Sequence, residues 1–144
     1  MDDAAHMSIA VLTFNNAQEL LNSTRTADDD RSLLTAAFTS RHHWQQIGGA
    51  EELAIADWLV SRAAAATGHV AMALQFAQAA IDGDADDFPA WLRASLFEGM
   101  ARAHHAAGDP TSRDHFIAQA RAVLVLESDA ADAALIEAQI AELL

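Results

Sequence analysis

Residues that break helices fall at near-even intervals along this chain, and no other feature limits the fold so tightly. There are only six glycines and two prolines in 144 residues. All but Gly99 fall at Gly48-Gly49, Gly68, Gly83, Pro89, Gly108 and Pro110. Between them run alanine-rich stretches whose larger apolar residues recur three and four apart, the spacing of one helix face. A sandwich or barrel would need many more turn residues and β-branched strands. Alanine is the strongest helix former. The chain therefore reads as all-α.

The breaks predict seven helices. The first covers residues 8–22, with Val11, Leu12, Phe14, Leu20 and Leu21 on or near one face. Asp28, Asp29 and Asp30 open a second, because acidic side chains suit the free N–H groups and positive dipole end of a helix start. It carries Leu33, Leu34, Ala37, Phe38, Arg41 and Trp44 and ends at Gly48-Gly49. The third covers residues 50–67 and is closed by Gly68. The fourth covers 70–81 and runs into the acidic loop 82–87. Pro89 is expected at the first position of the fifth helix, which Gly108 closes. Asp109 caps the sixth, with Pro110 at its first position. Ser128 and Asp129 open the seventh, which carries Leu135, Ile136, Gln139, Ile140 and Leu143 along one side. Short connections between helices of this length give antiparallel hairpins.

A shift of forty residues aligns Arg62 with Arg102, Gly68 with Gly108 and Phe76 with Phe116, along with several alanines. Helices three and four thus form one unit, and five and six another. Within residues 57–85, Ser61 stands at a small position of the first helix and Gly68 at the turn. Ala73, Ala77 and Ala80 follow on the second helix. The next unit offers Ala101, Gly108, Ile117 and Ala120. This pattern resembles a tetratricopeptide repeat, with departures: Arg113 stands where the first alanine of a second helix is expected, Ala77 replaces an aromatic, and the terminal proline is missing. The segments "LAIADWLVSRAAAATG", "AAFTSRHHW" and "FEGMARAHHAAGD" also resemble a group of small bacterial proteins with tetratricopeptide-like helices. The resemblance implies a short right-handed superhelix in a single domain, 1–144. Its parts are a divergent first hairpin at 8–47, repeats at 50–82 and 87–126, and a capping helix at 128–144. It implies binding of a protein or peptide on the face lined by the first helix of each pair. It carries no activity.

Charge narrows the partners. Acidic residues number 21 and basic ones 8, a net of -13, and all eight basic residues are arginine. Nucleic-acid affinity comes largely from neutralising phosphates, and anionic membranes select for basic surfaces. Both are therefore expected to be absent as partners; the charge reads first as a means of solubility, with a basic partner as the alternative. The chain has no cysteine, which excludes disulfides and thiolate chemistry. An acidic start unlike a signal peptide, and the lack of any run near the ~18 apolar residues of a membrane span, lead us to expect a cytoplasmic protein.

Few residues suggest chemistry. His42-His43 and His104-His105 are neighbours, about 100° apart on a helix, and do not chelate as an i, i+4 pair can. No nucleophile elbow, phosphate loop or metalloprotease motif is present, so neither an enzyme nor a bound cofactor or metal is expected. Arginines beside tryptophans are the better candidates, since a guanidinium binds carboxylates bidentately and stacks on indoles. The candidate binding residues are Arg41, His43, Trp44, Trp58, Arg62, Glu98 and Arg102. If Arg41, Arg62 and Glu98 converge on an enclosed pocket, a small-molecule or anion-binding protein is the better reading. An open groove favours a peptide-binding scaffold. The competing structural role for the arginines is ion pairing between helices, for instance Arg62 with Glu98 or Asp57. The seventh helix, read as running through Leu143-Leu144 with residual apolar surface, leaves a homodimer as a further expectation.

Overall fold

A computed structural model describes residues 1–144 and contains helices only. They are α1 (Asp3–Leu21), α2 (Ala27–Ile47), α3 (Ala50–Ala66), α4 (Val70–Asp82), α5 (Ala90–Ala106), α6 (Pro110–Leu124) and α7 (Ala130–Ala141). α1 starts five residues earlier than the periodicity of its large side chains suggests. Asp2 provides the reason: its carboxylate accepts from the Ala5 N–H at 2.8 Å and caps the helix there. Pro89 is the residue before α5, with extended backbone (ψ 145°), and not its first helical residue. The N–H of Trp91 in the first turn is instead satisfied from outside, by Glu127 at 3.0 Å. Asp109 and Asp129 cap α6 and α7 through side-chain oxygens, and Thr26 closes a capping box with Asp29 on α2.

The helices pack as antiparallel hairpins: α1 on α2, α3 on α4, α5 on α6. Alanine explains the closeness. Ala10, Ala17 and Ala37 are fully buried in the first hairpin, and Ala63, Ala73 and Ala80 in the second. Two buried serines tie facing backbones together. Ser40 on α2 donates to the Ala10 carbonyl at 2.8 Å, and Ser61 on α3 donates to the Ala73 carbonyl at 2.9 Å. A hydroxyl reaches a neighbouring helix's carbonyl only when no bulky side chain holds the two apart.

The turns at Gly68 and Gly108 have the same structure. Their φ angles are +81° and +71°, the only positive values in the chain. In each, the residue after the glycine returns a bond to the carbonyl five back (His69 to Ala64, 2.9 Å; Asp109 to His104, 3.0 Å). The glycine itself bonds the carbonyl three back. This is a Schellman closure at both matched positions.

The odd-numbered helices share one layer, with α1 against α3, α3 against α5, and α5 against α7. One apolar core runs through α1 to α5, centred on Leu33, Leu59, Leu92 and Leu96. A second joins α5, α6 and α7 through Ile117, Leu124, Ile136 and Ile140. α7 is fixed to α5 at both ends: Glu127 holds the Trp91 N–H just before α7 begins, and Arg102 bonds the Gln139 carbonyl near its end. No helix is long and apolar enough to cross a membrane.

Candidate ligand-binding groove

The layer of odd-numbered helices carries two cavities of different chemistry, linked by the contact between Trp58 of one and Arg62 of the other. The first has a volume of about 210 Å³ and takes residues from all four helices: Phe14, Ile55, Trp58, Trp91 and Leu135 among them. Its polar lining is confined to Gln18, Ser95, Asp132 and Gln139. Leu135 is 59% exposed and forms the α7 wall, while its neighbours on the same helix, Ile136 and Ile140, enter the core. The apolar stripe predicted for α7 is thus divided: Leu135 and the buried Ile136 line the cavity, and Ile136, Ile140 and Leu143 pack into the core with α5 and α6. An apolar extension, lined by Val11, Trp44, Glu52 and again Phe14 and Ile55, continues between α1 and α3.

The second cavity, about 240 Å³, lies where α1, α3, α5 and α7 end. Arg25, Arg62, Arg102 and His105 line it, with Asn22 and Glu142. Three of the eight basic residues of an acidic protein therefore meet in one place. Part of the reason is local. Helix ends expose carbonyls and a negative dipole end, and arginine answers both. Arg25 donates to the Leu20 carbonyl at 3.2 Å and to the Ala66 carbonyl of α3 at 3.3 Å, and pairs with Asp30 at 2.7 Å. Arg102 donates to Glu98 at 2.8 Å, to the Gln139 carbonyl at 3.0 Å and to Glu142 at 2.9 Å.

Arg62 differs. Its side chain is 12% exposed, yet it donates no hydrogen bond within the protein, unlike the other seven arginines. Its nearest carboxylate oxygen, Glu98 Oε2, is 3.7 Å away, and that oxygen also lacks a partner. The guanidinium lies over the Trp58 ring, Cζ 5.2 Å from the centroid. Burial pushes its pKa below the ordinary arginine value, against the opposing pull of Glu98. Trp58 Nε1 is likewise buried without an acceptor. Unpaired buried donors are costly, and here they gather at the junction of the two cavities.

The seven candidate residues fall into separate groups. Trp58, Arg62, Glu98 and Arg102 come together across α3 and α5. Arg41 lies elsewhere, pairing with Asp57 at 2.6 Å and resting over the Phe76 ring. Trp44 lines the apolar extension. His43 meets His6 of α1, their Nδ1 atoms 2.8 Å apart. Its pKa is lowered by desolvation and then by the neighbouring His6 and His42. Phe14, Trp91, Leu135 and Arg25 complete the groove without having been singled out as site residues. The forty-residue register could have pointed toward it. Arg62 and Arg102 match in the repeat, so they stand at the same height on adjacent first helices and share a cavity. No family model matches this sequence, and no curated protein matches it either. Fold and groove define an all-α helical-hairpin protein with a composite apolar and cationic cleft.

Proposed function

We propose that this chain is a tetratricopeptide-like binding module that captures a protein segment by an apolar side chain. The observation that carries this reading is the cleft lined by Phe14, Ile55, Trp58, Trp91 and Leu135, on the layer formed by the first helix of each hairpin together with α7. A cleft of this size takes one or two apolar side chains, and two tryptophans supply rigid contact area.

Charge sets the rest of the partner. A net of -13 attracts a segment with arginine or lysine flanking its anchor and slows acidic ones. Separation of Arg41 from the Arg62–Glu98 group supports the segment-binding reading over a single enclosed anion pocket.

Trp58 and Trp91 give the test its signal. A panel of short peptides bearing one leucine or phenylalanine between basic residues is titrated while tryptophan emission is followed. Saturable change that disappears when the anchor becomes serine, and weakens with acidic flanks, is the expected result. Equal response to anchored and anchorless peptides overturns the proposal.

A further inference from the structure

The junction between the two cavities has a chemistry that a protein segment's apolar anchor does not use. Along α3, Ile55 and Trp58 face the apolar cavity, while Arg62 and Ala66 face the cationic one. Seven residues of helix separate Ile55 from Arg62, about 10 Å at 1.5 Å per residue. The apolar lining along α3 is therefore followed, about two turns on, by a guanidinium that lies over the Trp58 ring.

That guanidinium is short of an acceptor. Arg25 is occupied by Asp30 and by helix-end carbonyls. Arg102 takes Glu98 Oε1, the Gln139 carbonyl and Glu142. The fully buried Glu98 thus serves Arg102 at hydrogen-bond distance and leaves Arg62 at 3.7 Å. Two arginines share one buried carboxylate, and Glu142 sits at the exposed rim. A buried charge without a hydrogen-bonded counter-ion is unfavourable unless something supplies one.

We propose that the groove binds a carboxylate-headed amphiphile, a free medium-chain carboxylic acid, with its carboxylate on Arg62. The aliphatic chain lies against Trp58, Trp91, Ile55 and Leu135. The head accepts from the guanidinium, whose planar fork suits two carboxylate oxygens. Stacking on Trp58 holds the fork in place. The ligand shares the apolar cavity with the segment-binding reading and does not depend on it.

Decanoate and decanol, which differ in the head group, are titrated against the intact protein by calorimetry and tryptophan emission. Decanoate is expected to bind at least tenfold more tightly than decanol. In Arg62→Met that advantage disappears while decanol binding is unchanged, and anchored basic peptides titrate as before. Leu135→Glu changes an exposed residue of the cavity wall and keeps the proposal testable if Arg62→Met fails to fold; it should abolish binding of both probes. Equal affinity for decanoate and decanol in the unaltered protein overturns the proposal, as does decanoate binding that survives Leu135→Glu or keeps its advantage in Arg62→Met.

Discussion

Gly99 of α5 lies so close to Trp58 of α3 that a Cβ built there comes within 2.8 Å of the indole Cδ1 and 3.3 Å of Nε1. Helix-interior glycine costs about 1 kcal/mol against alanine, yet here it lets the Cδ1–Nε1 edge of the indole approach the α5 backbone while Trp58 lines the apolar cavity. Gly99→Ala should therefore destabilise despite its better propensity, by about 1–3 kcal/mol of overpacking. The urea midpoint measures this. Shrinking the indole in Gly99→Ala/Trp58→Leu should return much of the loss relative to Trp58→Leu alone, because the clash is then gone. A stabilised Gly99→Ala would mean that the Trp58–Gly99 contact is loose.

Gly68 and Gly108 are a matched pair of a different kind. A Cβ at either would meet nothing within 4 Å, so space is no obstacle, and the left-handed backbone alone sets the cost. Alanine at each position should cost about 1–2 kcal/mol, and asparagine less, since it visits that conformation more readily. The two sites should respond alike in thermal melts. A cost at only one would break their equivalence.

These glycines show what the sequence makes legible. A helix end is written locally, in a glycine followed by a capping aspartate or the first residues of a new helix, so α2 to α5 and the start of α6 are legible to within a residue or two, whereas α6, with no glycine at its end, stops at Leu124, short of the expected Ser128. The start of α1 is hidden from periodicity because its first turn carries few large apolar residues, and only the Asp2 cap reveals it. Site residues are harder. Whether Leu135 or Ile136 faces the core depends on how α7 is rotated on α5, and that rotation is fixed by two distant contacts, Glu127 with Trp91 and Arg102 with Gln139. Arg41 and Arg62 look alike on their own helices. Only packing places one against Asp57 and leaves the other without a hydrogen bond.

Glu98 is fully buried, and its carboxylate is the one negative group held inside between Arg62 and Arg102. Glu98→Ala leaves two guanidiniums without it and should cost about 3–5 kcal/mol, the usual result of removing one member of a buried ion group. Glu98→Met with Arg62→Met removes one carboxylate and one guanidinium together and should recover much of that loss. Denaturant unfolding of the three proteins checks the order. Equal stability of Glu98→Ala and the parent would show that solvent, not Glu98, balances these arginines.

The His6–His43 contact makes stability depend on acidity. With both rings neutral, one Nδ1 donates to the other across 2.8 Å, joining α1 to α2. Protonating both puts two cations in contact, with His42 adjacent, its ring centroid 5.1 Å from that of His43. Desolvation first, then His6 and His42, hold the His43 pKa below its ordinary value of 6.5. The unfolded chain therefore takes up this proton before the folded one does. The contribution is fully present above about pH 6.5 and is lost as pH falls from there through the lowered value in the folded protein. Urea midpoints measured from pH 7.5 to 5 should be level at first and then decline, ahead of the carboxylate titrations at lower pH. His43→Asn should flatten the decline in that window, and so should His6→Asn, because each removes one of the two positive charges. Both variants declining as steeply as the parent would place the acid sensitivity elsewhere in the chain.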